Sequence, residues 1–330
     1  TAFSLPELAE IAAQNHHIFK ELQYLSNIDY KPIRYISFAH DEETYKALEA
    51  SKAWSKAEMI APKQFREEIS PYFNANPKKY ISALVSEDCW QATPGKVVDL
   101  VRNLGIAAGG TVMEDCRVLE ACREGKYTSV LVQTHDKKYV EYRTEHFVNA
   151  LGSGAGKLCD SMGIDAGLYP VRHQAFITRR LPMLGKHGTN LDMLIDRQDY
   201  KGFSAVYGQQ IAYTGQIIGC ASPKLDAMRI DKNLKVNTKA FLEIVSEMFS
   251  EWIPDLAGVG IQAVWAGYYT EPRYIVDPEL GLFVGMRGHG FMLSQYIARM
   301  YVDKLLGRPV PEYFEKLKLN GPGLSEKAFK

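Results

Sequence analysis

Gly285-Met-Arg-Gly-His-Gly-Phe-Met-Leu-Ser-Gln295 joins an apolar strand, Leu282-Phe-Val-Gly285, to a helix whose apolar residues Ile297, Ala298, Met300, Tyr301, Leu305 and Leu306 recur at helical spacing. A strand that ends in Gly-x-x-Gly-x-Gly and opens a helix leaves backbone N–H groups bare. It also points the positive end of that helix at whatever lies in front of it. Such a cradle suits something electron-rich, a flavin ring or a phosphate.

Upstream lies Trp265-Ala-Gly-Tyr-Tyr-Thr-Glu-Pro-Arg-Tyr-Ile-Val-Asp277, an aromatic-Gly strand followed by a Pro-containing turn and an apolar-Asp step. A second glycine cluster, Gly152-Ser-Gly-Ala-Gly-Lys157, follows the strand-like His146 to Ala150. It is not a phosphate loop, because Leu151 stands where the first glycine belongs and Leu158 where a Ser or Thr must follow the lysine. It is not a complete dinucleotide fingerprint either. Lys157 replaces the third glycine, and Arg172 stands about 20 residues on from Gly152, where an acidic residue is required. A plain strand-to-helix glycine turn is one reading of this cluster; an approach of backbone to a cofactor is the other.

The 330 residues, 46% hydrophobic, are enough for two intertwined domains with real cores. Lys plus Arg (39) balances Asp plus Glu (39), so no net field attracts nucleic acid or an anionic membrane, and a small-molecule partner is expected. No apolar run approaches the roughly 18 residues of a membrane span, and the amino end lacks a signal-peptide layout, which predicts a cytoplasmic protein. Cys89, Cys116, Cys122, Cys159 and Cys220 form no Cys-x-x-Cys pair and no zinc spacing, so they read as reduced structural thiols with no metal.

Periodicity predicts a helix over 5–26 with His16 and His17 as a surface pair, a strand from Ile33 to Ala39, and a helix capped by Asp41. Residues 56–80, broken by Pro62, Pro71 and Pro77, read as loop and short helix. A helix is expected from Thr93 to Leu104, then an antiparallel meander of strands at 111–120, 128–134 and 138–143. Alternating, glycine-punctuated strands fill 171–218, a helix spans Thr238 to Trp252 until Pro254 stops it, and a Pro-Gly-rich tail begins near Arg308.

In order and spacing these segments resemble the FAD-dependent D-amino-acid oxidase, glycine oxidase and sarcosine oxidase superfamily over nearly the whole chain. Gly288-His289-Gly290 resembles its C-terminal flavin-contacting motif and Asn149-Ala150-Leu151-Gly152 its internal Asn-Ala-x-Gly element. Cys116-Arg-Val118 resembles its adenine-contacting strand, and Tyr169-Pro-Val-Arg-His-Gln-Ala-Phe176 its Pro-x-Arg-x-Gln strand. The resemblance implies a mixed α/β, amino-acid-oxidase-type flavoprotein fold with an interleaved antiparallel-sheet substrate domain. The FAD half would come from residues 81–160 and 255–310 and the substrate half from 20–80 and 161–254, flanked by an N-terminal helix at 1–19 and a tail at 311–330. The implied activity is oxidation of a C–N bond in a primary or secondary amine or amino acid by hydride transfer to FAD. Cofactor contacts are implied for Val118, Ala150, Gly152, Gly285, Arg287, Gly288, His289, Gly290, Phe291 and Met292. An aromatic substrate pocket is implied around Tyr207, Gln209, Tyr268 and Tyr269.

The chain departs from the family in several places. The family's amino-terminal strand, Gly-x-Gly-x-x-Gly turn and acidic ribose ligand have no counterpart in these residues. The expectation is therefore a fragment, a second polypeptide that supplies the segment, or a fold that has lost its flavin. Tyr268-Tyr269-Thr270 occupies the place of the substrate-clamping arginine, leaving Arg273 as the substitute grip on a carboxylate. Met292 replaces the lysine of sarcosine-oxidase-like members, and Gly267 stands where a flavin-bonding cysteine would, so FAD is expected to be noncovalent. Arg287 reads as a surface ion pair. The alternative to an enzyme is a non-catalytic subunit or assembly protein that keeps the fold without flavin; a nicotinamide-dependent reductase is disfavoured by the incomplete fingerprint.

Overall fold

A computed structural model describes residues 5–54, 56–65, 67, 79–182, 184, 191–196, 203–212, 214–223 and 238–324. Its largest element is an eight-stranded sheet in the order β11-β7-β10-β9-β8-β1-β3-β2. The strands are β1 (Lys31–Ala39), β2 (Ala57–Ile60), β3 (Ser82–Gln91), β7 (Tyr169–Thr178), β8 (Met193–Asp196), β9 (Phe203–Gln210), β10 (Ile217–Pro223) and β11 (Ile261–Glu271). Every pairing is antiparallel except β1 with β8. β3 and β11 thus join the same sheet as β1 and β9, so it draws strands from both expected halves of the chain.

One face of this sheet packs on α6 (Thr238–Trp252), whose Phe241, Val245 and Phe249 meet Phe176, Val206 and Ile217 in the largest apolar cluster. The helix occupies the span its periodicity predicts, because apolar residues three and four apart share one stripe. A second core lies where α1 (Pro6–Leu25) crosses α7 (Gly290–Leu305). Leu8, Ile11, Leu293, Ile297 and Met300 interdigitate there with Tyr274 and Phe314. Asn15, buried in this seam, accepts a hydrogen bond from the Tyr296 N–H at 2.8 Å and ties the two helices together.

The short hairpin of β12 (Ile275–Asp277) and β13 (Leu282–Val284) lies beside α5 (Ala155–Ser161). Asp277 holds its turn, since Oδ1 accepts from the N–H groups of Glu279 and Leu280. The predicted strand at 146–150 is reduced to a single parallel bridge between Asn149 and Leu282. The expected meander is present as β4 (Arg117–Glu124), β5 (Tyr127–Gln133) and β6 (Tyr139–Thr144). Its first strand starts at Arg117 rather than Thr111, because α4 (Pro94–Ala107) runs three residues beyond Leu104 and Gly109, with φ +92°, turns the chain only afterwards.

Asp41 caps α2 (Glu42–Ser51) as predicted, its carboxylate accepting from the Thr44 N–H at 2.8 Å. Of the 56–80 segment, β2 and a short α3 (Pro62–Gln64) are described, whereas Pro71 and Pro77 lie outside the described residues. No described helix is long and apolar enough to cross a membrane.

Candidate active site

A cavity of about 1150 Å³ opens between α1 and the sheet face that carries β1, β3, β9 and β11, and it ends against the start of α7. The volume exceeds the roughly 300–1,000 Å³ of ordinary ligand pockets, enough for a large planar cofactor beside a small substrate. On β9, strand alternation turns Tyr207 and Gln209, two residues apart, into the cavity together, whereas on β3 the consecutive residues Asp88 to Gln91 all line it. On α1 a stripe of small side chains, Ala9, Ala12 and Ala13, leaves the room that larger residues would fill.

Tyr207 and Tyr269 come together across the sheet, hydroxyl to hydroxyl at 3.0 Å. Burial raises both phenols above their ordinary range, so both stay protonated at neutral pH. The His173 ring stacks on Tyr269 with centroids 3.8 Å apart, and burial pushes its pKa down to about 4. Beside them the Cys220 thiol is pushed up to about 11, also by burial. The polar patch on this wall of the cavity is therefore neutral.

At the opposite wall, His16 Nδ1 and the Tyr30 hydroxyl lie 2.6 Å apart, and the Trp90 ring packs within 4.9 Å of both rings. His16 is thus not half of a surface pair, as the sequence suggested. It is drawn in by two aromatic partners from β3 and the turn before β1, and desolvation lowers its pKa. Lys20 Nζ sits 5.6 Å over Trp90, and Lys56 pairs with Asp88 at 3.2 Å on the exposed rim.

The start of α7 carries no side-chain cap, and Phe291 and Met292 in its first turn face the cavity. Its leading N–H groups have no partner four residues back in the helix. Gly285 has φ +71°, and a Cβ there would collide with the Arg273 carbonyl; a Cβ on Gly288 would stand 2.7 Å from the Tyr269 ring. Both glycines let the chain turn tightly under the cavity floor. A 3-10 turn at Arg287–His289, its His289 N–H bonded to the Met286 carbonyl, leads into the helix, and the positive helix end with a broad apolar chamber fits a flavin ring. Phe291, Met292 and the amides around Gly288 and Gly290 are the groups that would hold it.

The remaining candidates are dispersed. Arg287 is not on the surface. Its Nε donates to Glu271 at 2.6 Å, both side chains are less than a fifth exposed, and its second guanidinium nitrogen is buried without a hydrogen bond. Arg273 does not reach the cavity. It binds the carbonyls of Leu319 and Gly321, because the C-terminal segment folds back over it. His289 is bonded through Nδ1 to the Tyr274 hydroxyl at 2.7 Å. Tyr268, the neighbour of Tyr269 on β11, is not among the lining residues.

Asn149 is buried and serves its own turn, donating to the Ala155 carbonyl and accepting from the Leu151 N–H, while Gly152, at φ +55°, faces open space beyond the exposed Ala150. Val118 packs in the small core between β4 and α5. Phe19, Tyr30, Trp90 and the alanine stripe are the lining that motif reading missed as a pocket. Only the stripe left a trace in sequence, as small residues at helical spacing.

Together the fold and the site define a flavin-dependent oxidoreductase. Residues 2–304 match the family described as DAO, FAD dependent oxidoreductase, and the chain belongs to it; its cofactor is FAD. Among solved structures it is similar to L-proline dehydrogenase from P. horikoshii, with 22% identity and a TM-score of 0.75 over 94% of this chain and 81% of that one. It is similar to glycine oxidase from Geobacillus kaustophilus, with 16% identity and a TM-score of 0.75 over the same shares. Iminodiacetate oxidase from Chelativorans sp. BNC1 matches at 13% identity and a TM-score of 0.71, over 96% of this chain and 84% of that one. At these identities the likeness is one of fold. No curated protein matches the chain.

Proposed function

We propose that this chain oxidises the C–N bond of a primary or secondary amine or amino acid, with FAD as the two-electron acceptor. The observation that carries this reading is the uncapped start of α7 opening, through Phe291 and Met292, onto an aromatic cavity with a hydroxyl pair inside it. The similar structures support it, being named for proline, glycine and iminodiacetate, all compounds with such a bond. In the reaction the substrate C–H hydrogen leaves with its electron pair and an N–H leaves as a proton. FAD supplies the redox chemistry; the protein binds, orients and dries the substrate. Tyr207 and Tyr269 would position the amine, and the apolar walls exclude water. The α7 amides would stabilise charge that develops at the cofactor.

A division of labour follows, with the hairpin, α5, α7 and the meander forming the cofactor half and the eight-stranded sheet the substrate half. The five free cysteines support the cytoplasmic setting read from the sequence. The apolar face of α4 (Val98, Val101, Leu104) is exposed, as are Val148 and Leu151, which supports the reading that a second polypeptide covers such surface while completing the cofactor site.

The test is the visible spectrum of the purified chain after incubation with FAD and gel filtration. Retained yellow colour that amines bleach without oxygen is expected. Colourless protein that takes up no flavin, both alone and when copurified with any polypeptide that binds it, would overturn the enzyme in favour of a scaffold.

A further inference from the structure

We propose that Lys20 on α1 holds a carboxylate at the far end of the substrate's side chain, so that the amine oxidised belongs to a dicarboxylic amino acid. This rests on the C–N oxidation reading and narrows it to one substrate class. Among the described residues, two lysines and no arginine line the cavity. Lys56 is paired with Asp88 at 3.2 Å, whereas Lys20 has no carboxylate partner. Its Nζ lies 5.6 Å over the Trp90 ring, a contact that keeps the ammonium in place and leaves its charge unneutralised. The other donor without a partner, Arg287 Nη1, is buried and does not belong to the lining.

The surroundings of Lys20 suit an anion on an apolar stem. One turn earlier on the same face of α1, His16 bonds the Tyr30 hydroxyl at 2.6 Å, and desolvation lowers its pKa, so it adds no second charge at neutral pH. Tyr30 and Trp90 stack with centroids 4.9 Å apart and offer flat apolar surface to a methylene chain. Asp88 is the only carboxylate among the lining residues, and its pairing with Lys56 leaves no lining acid to compete for Lys20. Because Lys20 and the Tyr207–Tyr269 pair line opposite walls, the group that Lys20 holds sits at the other end of the molecule from the nitrogen. A charge-assisted hydrogen bond is the gain.

Aspartate with asparagine, glutamate with glutamine, and 2-aminoadipate with its side-chain amide are matched pairs of increasing reach. Within each pair the amine and its neighbouring carboxylate are shared, and only the charge at the far end differs. Binding of both enantiomers to the full chain is measured by calorimetry at low ionic strength, with and without FAD, and anaerobic reduction of the FAD-loaded protein by stopped flow. In at least one pair the acid is expected to bind about tenfold more tightly than the amide, a preference that added salt weakens. Lys20 is exposed, so its substitution leaves the fold intact, which a thermal melt checks. Lys20→Gln is expected to collapse the preference to near parity, and Lys20→Arg to keep it. The proposal is overturned if no pair shows the preference, if the preference survives Lys20→Gln, or if none of the six compounds binds. A chain that shows the Lys20-dependent preference but reduces no flavin would instead overturn the oxidation reading alone.

Discussion

The ring of Tyr269 lies against the α-carbon of Gly288, so that a Cβ at position 288 would stand 2.7 Å from Tyr269 Cε2. This contact couples the turn before α7 to the strand that carries the hydroxyl pair. Gly288→Ala must push the Tyr269 ring, at a cost of about 1–3 kcal/mol. Because the ring is a side chain with room on its cavity side, the fold survives and the site does not. The expected result is a cooperative melt close to that of the parent, with FAD uptake weakened about tenfold or more.

Gly285→Ala serves as its contrast. There φ is +71° and the new methyl would meet the Arg273 carbonyl, which belongs to backbone and cannot swing away. Strain and overpacking together should cost about 3–5 kcal/mol. Thermal unfolding checks this: Gly285→Ala should lower the melting temperature sharply, with or without FAD.

The difference between these glycines marks how far the sequence could be read. The strand-turn-helix around Gly285 was legible because backbone geometry demands glycine there whatever surrounds it. The helix at Thr238 to Trp252 and the meander were legible from periodicity and turn residues. The partners of arginines were not legible, since they are decided by tertiary folding. Arg273 was expected at a substrate and is taken by the C-terminal segment. Arg287 was expected at the surface and is buried against a residue 16 positions earlier. His16 likewise owes its place to Trp90, which only the sheet brings near.

His173 makes stability depend on pH. Its folded-state pKa, about 4, lies below the ordinary 6.5, so the unfolded chain binds more protons between those values. Stability contributed by the neutral imidazole is fully present above pH 6.5, is lost progressively as pH falls towards 4, and falls no further below that. The loss from this residue amounts to up to about 3 kcal/mol. Denaturant melts from pH 7 to 4 should show this slope, and His173→Phe, which keeps a ring against Tyr269, should flatten it.

Uptake of an uncharged amine carries its own pH signature. The groups facing the hydroxyl pair are Cys220 on β10, with its thiol raised to about 11, His173 on β7, lowered to about 4, and the Tyr35 phenol on β1, raised by burial. Cys89 on β3 is raised as well, and Glu271 at the end of β11 is held by Arg287. With the Cys220 and Cys89 thiols, the Tyr35 phenol and His173 silent near neutrality, kcat/KM should climb about tenfold per pH unit until the amine's own pKa is reached. A series of substrates of different amine basicity should shift the inflection accordingly. An inflection fixed across that series would mean that a protein group, and not the substrate, loses the proton.

The pair of Arg287 and Glu271 sets two costs against each other. Arg287 sits at φ +50°, a region L-residues avoid, and its side chain is 10% exposed beside a carboxylate that is 18% exposed. Arg287→Gly relieves the backbone but strands a mostly buried carboxylate, so it should destabilise by about 3 kcal/mol. Glu271→Gln strands the guanidinium and should cost as much. Adding Glu271→Gln to Arg287→Gly removes both charges and keeps the relieved backbone, so the double variant should recover most of the loss. A double-mutant cycle by denaturant unfolding reads the coupling directly. Additive losses would show that each side chain is held by other neighbours, and that the α7 turn owes its geometry to Gly285 and Gly288 alone.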